Sequence, residues 1–118
     1  VRIESSAIFS AVDSSLSQTS TAQQIFSGFM WCLTIAPVAA GVAGALKAQV
    51  SNDPSGESYP YLVASGSWVD LPLATVTLAG AVSLIQATNA GYRWLRFVWT
   101  PTGGSTGTFS AQFNAKGV

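Results

Sequence analysis

The chain offers few groups for covalent chemistry, and their spacing decides what each is worth. Histidine is absent, which removes the commonest general base and the commonest neutral metal ligand. Without it, no Ser–His–Asp or Cys–His unit can be assembled from these 118 residues. The single cysteine, Cys32, lies inside the apolar run Phe29–Ile35 and reads as a small buried hydrophobe. One cysteine can neither close an internal disulfide nor build a zinc site. The carboxylates are Glu4, Asp13, Asp53, Glu57 and Asp70. Asp53 and Glu57 share a segment, but they lack the alternating acidic ligands of a calcium loop, and a solvated turn is the better reading. Nothing brings two acids together for glycoside cleavage. The glycine-rich segments neither open a helix nor carry a Walker lysine, so phosphate cradling is unsupported. No catalytic residue, no metal and no cofactor is expected, and the chain is read as non-enzymatic.

Aromatic side chains are the remaining candidates, and their chemistry is recognition. Tyr59, Tyr61 and Trp68 flank one loop. They can stack on a sugar ring, or they can anchor a protein interface, where Tyr, Trp and Arg are favoured. The scarcity of charge around them favours the protein interface. Trp94 shares a strand face with Tyr92, Arg96 and Val98. Either both sides of that strand are covered, or an aromatic patch faces outward.

Charge narrows the partners. Ten residues are charged, 8% of the chain, and the formal net charge is zero. A globular protein ordinarily carries roughly a quarter charged residues, so this exterior is unusually neutral. With 48% apolar residues, disorder is excluded. Ser, Thr, Asn and Gln must do the solvating, or partner chains cover part of the surface. Arg93 and Arg96, three apart on one strand, point to opposite faces, so no basic patch forms and nucleic-acid binding is disfavoured. Within this numbering no basic stretch precedes an apolar one in the manner of a secretion signal.

The elements that must position these residues are strands. In Tyr92–Thr100, Leu95, Phe97 and Trp99 share one face; in Thr106–Lys116, Phe109, Ala111 and Phe113 share one face, with Ser110, Gln112 and Asn114 opposite. A period of two is the signature of a strand. The short link Pro101–Ser105 predicts that these two runs close an antiparallel hairpin. Further strands are expected at Ala7–Val12, at Gln24–Ile35, at Ala45–Ser51, at Ser67–Leu71 up to a stop or bend at Pro72, at Thr75–Leu78 and at Val82–Thr88. The polar stretch Leu16–Thr21 is expected to pair at a sheet edge. Ile25–Leu46 is uncharged and long enough to cross a bilayer as a helix. Pro37, Gly28, Gly41 and Gly44 interrupt it, and no Lys or Arg cluster flanks it, so no membrane contact is expected. The length suits one domain, with residues 1–6 as an N-terminal arm and 7–118 as the body. The fold class expected is all-β: an antiparallel β-sandwich, jelly-roll-like, of about eight strands.

Three segments together resemble a family. Tyr92-Arg-Trp-Leu-Arg-Phe-Val-Trp-Thr100 with Gly107-Thr-Phe-Ser-Ala111, Leu46-Lys-Ala-Gln-Val-Ser-Asn-Asp-Pro54, and Trp68-Val-Asp-Leu71 are similar to stretches of small tailed-bacteriophage capsid-decoration (cement) proteins. The resemblance covers residues 46–116. It implies a jelly-roll-like sandwich without a catalytic site, located in the virion on the outer surface of the capsid. There it would bind the major capsid protein and bridge neighbouring subunits. Copies of the chain would associate symmetrically, as a trimer before a dimer, since closure covers sheet edges. Contacts are then expected from Arg2 and Ile3 in the arm and from Leu16 and Gln18 in the Ser14–Gln24 stretch. Tyr59, Tyr61, Trp68, Trp94 and Arg96 complete the candidate interface. The alternative is a glycan- or receptor-binding module of a phage tail or surface structure, using Tyr59, Tyr61 and Trp68.

Overall fold

Alternation of apolar and polar residues gives a long strand one face to bury, and two sheets stacked face to face can bury such faces against each other. The structure, a computed structural model, describes residues 2–20, 22–24, 28–37, 41–52, 68–79, 83–88 and 94–117. Its strands are β1 (Arg2–Asp13), β2 (Gln18–Thr19), β3 (Gln23–Gln24), β4 (Gly28–Pro37), β5 (Ala43–Ser51), β6 (Val69–Ala79), β7 (Ser83–Thr88), β8 (Trp94–Pro101) and β9 (Thr108–Gly117). One sheet has the order β1-β9-β4-β7 and the other β2-β8-β5-β6, with β3 also pairing β8. Every pairing is antiparallel. Taking β2 and β3 as one interrupted strand, eight strands are wound as two interleaved Greek keys, which is the jelly roll.

The hairpin expected between the last two runs does not form. β8 lies between β2/β3 and β5 in one sheet, while β9 lies between β1 and β4 in the other. The link between them is an arch across the sandwich. Ser105 N–H bonds to Thr102 C=O at 3.0 Å, and Gly104 takes φ 91° at the third position of that turn, a conformation glycine adopts without strain. The apolar faces of the two strands therefore meet face to face rather than side by side. Trp99 and Phe109 have ring centroids 4.7 Å apart, and Phe97 and Phe113 6.0 Å. Trp31 on β4 meets Phe97 edge-on at 5.4 Å and 76°. Side by side, size alternates within the first sheet: Trp31 and Ile35 on β4 stand opposite Ala115 and Ala111 on β9. That alternation lets the two layers interdigitate. Leu46 and Ala48 on β5, Leu33 on β4, Leu95 on β8 and Val42 are also fully buried in this interior.

Three further expectations are corrected. Residues 2–6 are no free arm, because Arg2 and Ile3 begin β1 opposite Gly117 and Lys116 and the pairing runs unbroken to Ala7. The expected break at Pro72 is a register shift: β6 runs from Val69 to Ala79, and Asp70 to Thr75 advances against only Lys47 to Gln49 on β5. Proline donates no ladder bond and is tolerated here because β6 is an edge strand. The expected core strand from Gln24 is divided between β3 and β4, with 25–27 outside the described residues. In Ile25–Leu46 the described residues form β4 and the start of β5, in line with the strand reading preferred over a helix, and among the described residues no helix is long and apolar enough to cross a membrane. Leu16–Thr21 does supply an edge strand, β2, on β8.

A chain of buried hydroxyls ties the turn ends together. Ala43 N–H donates to Ser105 Oγ (3.0 Å), Ser105 Oγ to Ser14 Oγ (2.9 Å), and Ser14 Oγ to the Gly107 carbonyl (2.9 Å). The Trp99 indole N–H donates to the Ser14 carbonyl at 3.0 Å. Three connections, β1–β2, β4–β5 and β8–β9, are joined at one end of the sandwich by side chains whose polar atoms all have partners.

Candidate functional site

Of the charged side chains that the structure describes, Lys47, Asp70 and Arg96 gather on the outer face of the second sheet, while Asp13 lies in the β1–β2 turn. Alternation along β5 turns Leu46 and Ala48 inward and Lys47 and Gln49 outward. Along β8, Leu95, Phe97 and Trp99 face the core, which leaves Arg96 outside. Register places Gln49 directly opposite Arg96 on one side and Asp70 on the other. Cross-strand neighbours at that spacing interact through their side chains.

The result is a continuous row. The Arg96 guanidinium carbon sits 4.3 Å from the centroid of the Trp68 ring, within cation–π range. Arg96 Nε–H donates to Gln49 Oε1 at 2.8 Å, and Gln49 Nε2–H donates to Asp70 Oδ1 at 2.9 Å. Lys47 Nζ donates to Asp70 Oδ2 at 3.1 Å, completing a surface ion pair. Gln49 is thus oriented by a cation on its oxygen and a carboxylate on its nitrogen. Hydrogen bonds from Gln49, then from Lys47, hold the Asp70 carboxyl below its usual range. Partial burial lowers the Arg96 pKa, but the guanidinium stays charged.

The candidate residues fall out unevenly. Trp68 and Arg96, far apart in sequence, are brought into contact. Trp94 is fully buried although it lies on the face opposite the core, so both sides of β8 are covered there and Trp94 has no surface to offer a partner. Tyr59 and Tyr61, with Asp53 and Glu57, lie outside the described residues. Arg2 and Ile3 are placed at the start of the edge strand β1. Leu16 is 59% exposed at the β1–β2 turn. Gln18 is half-buried and donates to the Asp13 carbonyl at 3.2 Å, so it braces that turn. The turn is also held by Asp13 Oδ1, which accepts from Ser15 N–H (2.9 Å) and Ser15 Oγ (2.7 Å) and is kept below its usual pKa by those bonds.

Gln49 and Asp70 were not among the expected contact residues. Their outward placement on strands is legible from alternation, but their meeting depends on the β5–β6 register and its bulge. Within the row the Asp70 carboxylate is engaged by the Lys47 ammonium and the Gln49 amide. Among the described residues no three of His, Cys, Asp and Glu come together.

No protein-family model matches the chain, and no curated protein matches it. Solved structures do. The SPBc2 prophage-derived protein YomS is similar with a TM-score of 0.63 at 11% identity, over 97% of this chain and 92% of that one. The PBSX exported protein XepA is similar with a TM-score of 0.62 at 13% identity, over 98% of this chain, which spans 37% of XepA. The K2 cleaved adhesin domain of Lys-gingipain is similar with a TM-score of 0.56 at 9% identity, over 85% of this chain and 62% of that one. At such identities the likeness is one of fold: this chain shares its sandwich with phage-derived proteins and with a bacterial adhesin domain.

Proposed function

We propose that this chain is a non-enzymatic structural protein of a bacteriophage particle, placed on the outer surface of the capsid, where it bridges and stabilises capsid subunits. The observation that supports it best is the likeness to prophage-derived YomS over nearly the full length of both chains. The near-neutral composition suits a surface partly covered by neighbours. Stabilisation works by mass action. A protein that binds only the assembled lattice lowers its free energy by RT ln(1 + [L]/Kd), about 2.7 kcal/mol per site at a hundred times Kd. Symmetric copies, a trimer before a dimer, multiply weak contacts into avidity. The reading needs neither metal nor cofactor, and its partners are the major capsid protein and copies of the chain itself.

Purified protein mixed with empty heads of the phage that encodes it should co-sediment with them, and light scattering should show a closed oligomer. A monomer that leaves the heads bare sinks the proposal. A second reading, a glycan-binding module, draws on the adhesin-domain likeness and on Trp68. Glycan-array binding that disappears in Trp68→Ala supports that module; a silent array with retained head binding supports the capsid role.

A further inference from the structure

Arg96 carries a half-buried charge whose neighbours hold its shape without neutralising it. Its Nε–H is taken by Gln49 at 2.8 Å, and its plane is backed by Trp68 at 4.3 Å. The described carboxylate on this face, Asp70, already accepts from Lys47 and Gln49 through its two oxygens. Among the described residues no carboxylate pairs with Arg96. Folding has therefore partly stripped water from a cation and fixed its orientation, leaving the edge that carries the two terminal nitrogens uncommitted among those residues.

We infer that Arg96, held on Trp68 and Gln49, is a docking point for a carboxylate side chain of a partner protein. The inference rests on the capsid reading and deepens it by naming the partner's chemistry: an Asp or Glu on the surface to which the chain binds. A planar guanidinium fork donates two parallel hydrogen bonds to a carboxylate, a geometry that lysine cannot supply. Rotamer freedom that would otherwise be lost on docking is already lost in the free protein, which favours binding. Arg and Trp are also both among the residue types enriched where interfaces concentrate their binding energy. A nucleic-acid strand is a poor alternative, because the neighbouring cation, Lys47, is neutralised by Asp70 and the chain carries no net charge.

Two experiments on the full chain separate this inference from the reading beneath it. In the first, hexaglutamate is titrated against the protein while NMR follows the Arg96 Nε–H and Trp68 indole N–H resonances. Saturable shifts are expected in the wild type, with none in Arg96→Gln and at least about tenfold weaker binding in Arg96→Lys. Unmoved resonances in the wild type, or equal binding by Arg96→Gln, overturn the docking point. Tighter binding of inorganic phosphate or a short DNA duplex than of hexaglutamate overturns the carboxylate assignment.

In the second, wild type and variants are co-sedimented with empty heads, with thermal melts to verify folding. Arg96→Gln should bind at least about tenfold more weakly than the wild type. Should Arg96→Gln fail to fold, Arg96→Lys retains the charge and carries the comparison. Equal binding of the variants to heads removes the docking point and leaves the capsid role standing. Hexaglutamate binding at Arg96 together with bare heads supports the docking point and removes the capsid role instead.

Discussion

Replacing Ser105 with alanine should cost the protein about 2 kcal/mol, far more than one hydroxyl on a turn would suggest. Ser105 is buried, and its Oγ is the middle of a relay: it accepts from Ala43 N–H at 3.0 Å and donates to Ser14 Oγ at 2.9 Å. The alanine variant leaves the Ala43 N–H facing a methyl group. A buried donor deprived of its acceptor costs about 1–3 kcal/mol, whereas an ordinary internal hydrogen bond contributes about 1. Ser14→Ala is the informative contrast. It removes a hydroxyl, but the Gly107 carbonyl still accepts from the Ser14 N–H at 3.0 Å, so no backbone donor is stranded and about 1 kcal/mol is expected. Because the two hydroxyls bond to each other, the double variant should cost less than the sum of the singles by about 0.5–1 kcal/mol. Urea unfolding at 25 °C measures all three, with an unchanged slope showing that the denatured state is not altered. A Ser105→Ala cost below about 0.5 kcal/mol, or strict additivity in the double variant, would refute the claim that these connections are energetically coupled.

Other consequences follow from the same packing. A Cβ added at Gly44 would stand 2.6 Å from the Thr100 carbonyl oxygen and 2.7 Å from the Trp99 ring, so Gly44→Ala should lower stability by about 1–3 kcal/mol in urea melts, while Gly103→Ala, with open space around it, should be nearly silent. Ala11 sits at φ 47° in a bulge of β1, with its N–H bound to Ser110 Oγ at 2.9 Å; Ala11→Gly relieves that strain and should raise stability by about 0.5 kcal/mol after the entropy that glycine adds to the unfolded chain, and a loss would contradict it. Asp13 and Asp70 are both held below their ordinary pKa in the folded state. Their stabilisation is therefore present above the unfolded value and lost as pH falls through the folded ones, so urea midpoints should fall below about pH 4, and Asp70→Asn should flatten part of that decline. With no histidine in the chain, a steep change between about pH 5 and 7 would show that another group is at work.

Strand faces and the core residues of β8 and β9 were legible because alternation is local, whereas several strand limits were not. Leu95, Phe97 and Trp99, and Phe109, Ala111 and Phe113, are buried as their spacing requires. The candidate site was legible only in part. Trp68 and Arg96 were recognisable as recognition chemistry, but nothing local distinguishes Trp94, sealed beneath the outer face, from an aromatic residue on display. Gln49 between Arg96 and Asp70 is a product of two registers and one bulge.

By itself the sequence determined that the chain would be a two-layer β protein with a neutral exterior and no histidine chemistry. A side-chain period of two states which face of a strand is apolar, and composition states what the surface can carry. Only the tertiary structure decided which strands are neighbours. The five residues after Trp99 and Thr100 satisfy a hairpin and a cross-sandwich arch equally well, since either one buries the same faces. The choice falls to the arch because Phe97 and Trp99 pack against Phe113 and Phe109 across the interior, while β5 and β2 on one sheet and β1 and β4 on the other fill the lateral places. That long-range pairing is also what sets Arg96 upon Trp68 and beside Gln49.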